Sequence, residues 1–108
     1  MVESEEDFLQ KVAELARLYG WRVCHFRAAR NKSGWATPIQ FDAAGFPDLV
    51  LCNGERIIWV ECKAEKGRLT PEQAEWIDAL RNAGAEVYVW RPSDWPNILS
   101  ILQGVISE

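Results

Sequence analysis

The sequence predicts a small mixed α/β protein whose elements follow the order α-β-β-β-α-β-α, with helices covering a sheet. Three observations lead there. Apolar residues recur at helical spacing near the N-terminus, in the seventies and near the C-terminus. Four short runs rich in β-branched and aromatic residues lie between them, and an Asn-Gly pair joins two of those runs. With 108 residues the chain has room for one domain, spanning residues 1–108.

Taking the elements in order, Ser4 stands three residues before Asp7, as an N-cap ahead of an acidic first turn does. Phe8, Val12, Leu15 and Tyr19 form the apolar stripe of this helix and Gly20 stops it. Residues 21–27 read as a strand, and the polar stretch 28–38 as a loop. Residues 48–52 and 57–63 are two further strands around the hairpin signal Asn53-Gly54. Thr70-Pro71-Glu72-Gln73 opens the second helix, with Thr70 as N-cap, Pro71 in the first turn and Gln73 closing a capping box. Ala74, Ile77 and Leu80 make its buried stripe and Gly84 its end. Residues 86–90 form the last strand, and Ser93 caps a short C-terminal helix carrying Ile98, Leu99, Ile101 and Leu102.

Composition narrows the class. Apolar runs are only a few residues long, well short of a membrane span, and no basic start followed by an apolar segment marks the chain for secretion. Cys24, Cys52 and Cys62 are odd in number and lack C-x-x-C spacing; each lies in an apolar strand-like run, as buried free thiols do. With His25 as the one histidine, ligands for zinc are too few. A reduced, intracellular protein is expected. The net charge of −4 argues at first against a phosphate-bearing partner, yet it is unevenly spread. Residues 15–41 hold five bases (Arg17, Arg22, Arg27, Arg30, Lys32) and no acid, leaving seven bases against all sixteen acids elsewhere. One basic and one acidic face are expected, with any nucleic-acid binding falling steeply with salt.

The hairpin concentrates chemistry. A two-residue turn at Asn53-Gly54 sets Asp48 opposite Trp59; a four-residue turn at residues 53–56 sets it opposite Glu61. Either parity projects Asp48, Glu61 and Lys63 from one face and leaves Leu49, Leu51, Ile58 and Val60 on the other. Two carboxylates and an ammonium thus converge in a sheet otherwise built of apolar residues. Adjacent carboxylates repel one another, and a divalent cation removes the repulsion. Oxygen ligands favour hard ions such as Mg²⁺ or Mn²⁺. Lys63 would sit beside such an ion, able to orient water or steady developing negative charge; it could equally form a plain salt bridge with Glu61.

Pro47-Asp48 followed by Glu61-Cys62-Lys63 resembles the PD-(D/E)xK nuclease superfamily, whose core runs α-β-β-β-α-β. The fuller pattern resembles its VRR-NUC branch: Gly45-Phe46-Pro47-Asp48-Leu49, Val60-Glu61-Cys62-Lys63, residues 67–73, and Ala83-Gly84 before Val87-Tyr88-Val89. The resemblance implies metal-dependent phosphodiester hydrolysis leaving a 5′-phosphate and a 3′-hydroxyl. Its metal ligands would be Asp48 and Glu61 around one or two Mg²⁺ or Mn²⁺ ions, with the Cys62 carbonyl as a further candidate, and Lys63 would be the catalytic lysine. It also implies a glutamate from the first helix. Glu6, with Gln10 four residues on, fits that pattern, and Glu5 and Glu14 compete with it. Gln73 matches a family glutamine near the site besides its place in the capping box. The implied substrate is branched DNA such as four-way (Holliday) junctions, met by a homodimer. Flap-, end- or duplex-directed cutting and a non-catalytic DNA-binding module are the alternatives. Arg22, Arg27, Arg30, Lys32, Lys66 and Arg68 are the candidate phosphate contacts. Of the six tryptophans (21, 35, 59, 76, 90, 95), most are expected in the core, with one or two left for a dimer contact or a base stack.

Overall fold

A computed structural model describes residues 2–26, 30–31, 34–35 and 41–104; for 30–31 and 34–35 the description is of the backbone. Helix α1 (Glu5–Leu18) leads into strand β1 (Arg22–His25). Two minimal strands follow, β2 (Arg30–Asn31) and β3 (Gly34–Trp35), then β4 (Leu49–Cys52), β5 (Ile57–Cys62), α2 (Pro71–Asn82), β6 (Glu86–Trp90) and α3 (Trp95–Leu102). The main sheet has the order β1-β4-β5-β6, with β1/β4 and β4/β5 antiparallel and β5/β6 parallel. The expected α-β-β-β-α-β-α architecture is therefore present. The antiparallel pair β2–β3 is added where the sequence reads as loop.

Most helix signals act as expected. The Ser4 hydroxyl accepts from the Asp7 amide at 3.0 Å, and Thr70 and Gln73 form both halves of a capping box. Gly20 and Gly84 close α1 and α2 with φ of +90° and +88°, the left-handed conformation that glycine enters without steric cost. The C-terminal helix departs from expectation. Ser93 lies in a 3₁₀ turn (Pro92–Asp94), α3 starts after Asp94, and the Ser93 hydroxyl bonds Glu65 instead. Pro92 sets the backbone for that turn one step earlier than a serine cap requires.

Strand parity divides the sheet into two unlike faces. Leu49 and Leu51 stand across from Val60 and Ile58, all fully buried, and pack with Phe8, Leu9, Val12 and Ala16 of α1 and Ile98 and Leu102 of α3. Trp21 closes this core, its indole N–H donating to the Leu102 carbonyl at 2.8 Å. Trp90 is also buried here, whereas Trp59, Trp76 and Trp95 are half-buried. On the opposite face α2 buries Ile77, with Val87 of β6 buried there too. At the far end of β5, Arg56 pairs with Glu86, which also accepts the Tyr88 hydroxyl at 2.6 Å; burial and this bond push the Tyr88 phenol up to about 12. The cysteines are all free, but only Cys62 is buried: Cys24 is exposed and Cys52 half-buried, because both point to the face that α2 covers only in part. Among the described residues no helix is long and apolar enough to cross a membrane.

This division predicts unequal costs for neighbouring truncations. Leu51→Ala, in the dry core, should lose about 2–5 kcal/mol of stability in urea unfolding, and Val50→Ala, on the other face, about 1 kcal/mol or less. Equal losses would contradict the register.

Candidate active site

The hairpin register pairs Cys52 with Ile57 around a four-residue turn, and continuing it sets Asp48 opposite Glu61. Asn53 organises that turn, its side-chain oxygen accepting from the Glu55 and Arg56 amides at 2.9 and 2.8 Å. Asp48 stands just ahead of β4, where its carbonyl accepts from the Phe26 amide at 2.8 Å. Its carboxylate accepts from the Cys62 amide at 3.1 Å, standing in for a neighbouring strand's carbonyl. The atom of Cys62 seen to serve the site is thus its amide, donated to Asp48.

Glu61 is 1% exposed. Its Oε2 accepts from the Gln73 side-chain amide at 3.2 Å, while its Oε1 is buried and accepts no hydrogen bond from any described residue. Burial, followed by the charge of Asp48, pushes the Glu61 carboxyl up to about 8, with Lys63 pulling the other way. The Lys63 ammonium lies 3.9 Å from Glu61 and 3.8 Å from Glu5. The loop after β5 folds over the stem of Lys63: a Cβ on Gly67 would stand 3.5 Å from its Cδ, and Gly67 donates to the Ala64 carbonyl at 2.9 Å.

Glu5 is the first-helix glutamate seen to reach Lys63. Glu6 is exposed beside it in the same turn, and Gln10 donates to Glu14 at 3.2 Å. Lys66 and Arg68 are exposed on the loop leading from Lys63 to α2. That loop is tied down by Ser93, which donates to Glu65 from its amide and its hydroxyl at 2.9 and 2.8 Å, and by Arg91, which donates to the Gly67 carbonyl at 2.8 Å. Arg22 is exposed but stands across from Cys52, at the opposite end of β1 and β4 from Asp48. Arg27 and Lys32 lie outside the described residues, and of Arg30 only the backbone is described.

Two features escaped the sequence reading. Gly45 has φ +83° and lies against the start of α2, where an added Cβ would come within 2.5 Å of the Glu72 carbonyl carbon and 2.7 Å of the Gln73 nitrogen. The loop that delivers Asp48 and the helix that delivers Gln73 thus touch backbone to backbone. An edge-to-face aromatic series secures the same junction, Phe26 on Phe46 at 5.4 Å and Phe46 on Trp76 at 5.0 Å. The Trp76 indole N–H also donates to the Asp42 carbonyl at 2.7 Å. The glycine of Gly45-Phe46-Pro47-Asp48 was the available signal.

A family model for the VRR-NUC domain matches residues 6–94, a span that takes in Asp48, Glu61, Lys63 and Gln73. The chain belongs to the VRR-NUC family. VRR-NUC domains are nuclease domains, and DNA hydrolysis is the activity this membership supports. No curated protein and no solved structure shows significant similarity to the chain.

The donor set in this VRR-NUC chain suits a hard divalent ion. Glu61 Oε1 is a buried acceptor lacking a hydrogen bond from the described residues, next to a second carboxylate whose charge disfavours its ionisation. Among the described residues, no three His, Cys, Asp or Glu side chains group as a protein-only cage. Two carboxylates are the usual protein share for Mg²⁺, which keeps waters and substrate oxygens as its other ligands.

The raised Glu61 carboxyl fixes the sign of a pH effect. Folded protein holds a proton that the unfolded chain, with its carboxyl near 4.5, releases first. This contribution to stability is fully present below the unfolded value and is lost as pH rises through about 8. In EDTA, the melting temperature of wild type should therefore fall between pH 5 and pH 8 more steeply than that of Glu61→Gln; parallel slopes would contradict the assignment. Gly45→Ala should separate Asp48 from Gln73 and destabilise the fold by about 1–3 kcal/mol, read by thermal unfolding.

Proposed function

We propose that this chain is a Mg²⁺- or Mn²⁺-dependent DNA endonuclease that cuts branched DNA, four-way junctions foremost, and works as a homodimer inside the cell. The reading rests on one observation above all: a buried Glu61 beside the half-buried Asp48, with one Glu61 oxygen that accepts no hydrogen bond from the described residues and Lys63 alongside. Asp48 and Glu61 would hold the ion, with Glu5 or Glu6 and the Cys62 carbonyl as further candidates. When bound, the ion supplies Lewis-acid neutralisation of charge on the scissile phosphate.

The chain's own groups divide the remaining work. The amides of Cys62 and Gln73 hold the two carboxylates in place, so neither swings away on binding. The Lys63 ammonium, held between Glu61 and Glu5, is placed to orient the attacking water and to stabilise developing negative charge. Water adds its oxygen to phosphorus and gives up a proton to solvent, and the P–O3′ bond breaks, leaving a 5′-phosphate; the departing 3′-oxygen takes a proton from solvent.

Recognition by shape fits the surroundings better than recognition by sequence. The helices bordering the site open with acids, Glu5, Glu6 and Asp7 on α1 and Glu72 on α2, and are unsuited to enter a groove. Lys66 and Arg68 on their tied-down loop are contacts for backbone phosphates. Exposed Phe26, Phe41 and Ile57 offer apolar area for a contact between two copies.

Labelled four-way, flap and linear duplex DNA, each incubated with Mg²⁺, Mn²⁺ or EDTA, test the reading. Wild type should cut the junction only with metal, and Asp48→Ala and Glu61→Ala should bind it without cutting. Lys63→Met should slow cutting by about 10²–10⁴-fold. Undiminished cutting by either carboxylate variant would overturn the site, equal cutting of linear duplex the branch selectivity, and a monomer at all concentrations in sedimentation the dimer.

A further inference from the structure

The capping box at the start of α2 is normally a device for helix stability. Here one of its members has a second contact. Gln73 takes the Thr70 amide on its Oε1 at 2.9 Å and gives its Nε2 to Glu61 Oε2 at 3.2 Å, while its backbone N–H donates to the Thr70 hydroxyl at 3.1 Å. The two ends of a carboxamide are chemically opposite, one accepting and the other donating. A glutamine free to rotate could turn its carbonyl toward Glu61, where two acceptors would face each other. An N–H at Thr70 can only donate, so it holds the carbonyl end and leaves the NH₂ end for Glu61. With Oε2 thus engaged, Oε1 is the Glu61 oxygen left for a ligand.

We propose that Thr70 is a positioning residue for Glu61, acting through the Gln73 amide, so that the helix cap sets the orientation of the carboxylate that holds metal. The inference rests on the nuclease reading above. Outer hydrogen bonds of this kind orient metal ligands generally. The close approach of Gly45 to Glu72 and Gln73 supports the same geometry from the other side, by leaving the start of α2 no room to shift toward Asp48.

Three variants separate positioning from helix stability. The Thr70 hydroxyl, by accepting from the Gln73 backbone N–H, closes the turn that brings Gln73 Oε1 to the Thr70 N–H; Thr70→Ala opens that turn and Thr70→Ser keeps it closed. Ala79→Gly, at an exposed position of the same helix, weakens α2 without touching the box. The measurements are Mn²⁺ affinity of the metal-free protein by calorimetry, the side-chain amide signals of Gln73 in ¹⁵N–¹H spectra, and junction cleavage. Thr70→Ala should weaken Mn²⁺ binding by about tenfold or more and move the Gln73 amide signals toward those of a free side chain. Thr70→Ser should restore both, and Ala79→Gly should lower the melting temperature while changing neither. The inference is overturned if Thr70→Ala binds Mn²⁺ like wild type, or if Ala79→Gly weakens binding equally. Should wild type bind no Mn²⁺, the metal reading falls, and the Gln73 signals alone decide the role of Thr70: unmoved in Thr70→Ala, they overturn it.

Discussion

A carboxylate buried beside another carboxylate is costly in any protein, and the pair Asp48 and Glu61 organises this one. Each nearby element brings something that offsets the cost. The β5 backbone brings the Cys62 amide to Asp48, α2 brings the Gln73 amide to Glu61, and Lys63 carries a positive charge between Glu61 and α1. One buried oxygen of the pair, Glu61 Oε1, accepts no hydrogen bond from the described residues. A fold made only for stability would fill that position with an apolar residue, since well-packed hydrophobic replacements of buried charges are often neutral or stabilising.

The sheet can carry this charge because its faces differ. Leu49, Leu51, Ile58 and Val60 form a dry face against α1 and α3 and supply the apolar burial that holds the domain together. The face bearing Asp48 and Glu61 is only partly covered, by α2, and the site lies where that cover begins. The strand that separates core from chemistry is one residue thick.

Much of this could be read before folding the chain. The alternation in residues 48–52 and 57–63 put the acids on one face whichever turn length held, because both turns have even length. Choosing between them needed the Asn53 side chain, which caps two amides and holds the longer turn. The capping box was legible because its residue types sit at fixed spacing. Which first-helix glutamate stands by Lys63 was not: Glu5 and Glu6 both suit the helix dipole, and the rotation of α1 on the sheet brings Glu5 toward Lys63. Ser93 and Asp94 posed the same difficulty one residue apart, resolved by a long-range bond from Ser93 to Glu65. Cys24 and Cys52 look buried by composition, but burial on a half-covered face depends on where α2 ends.

The acid pair, its lysine and its glutamine all come from one stretch between Gly45 and Gln73. Their bonds span 14 and 12 residues, against 81 for the bond from Trp21 to Leu102 that closes the core. Short loops cost little entropy to close. The candidate site is therefore a nearly local unit that one hairpin and the next helix assemble, with Glu5 of α1 brought beside Lys63 from outside. Residues 27–40, which hold no acid, lie outside that stretch of sequence. Changes of length or charge there would leave the bonds that join Asp48 to Cys62 and Glu61 to Gln73 as they are.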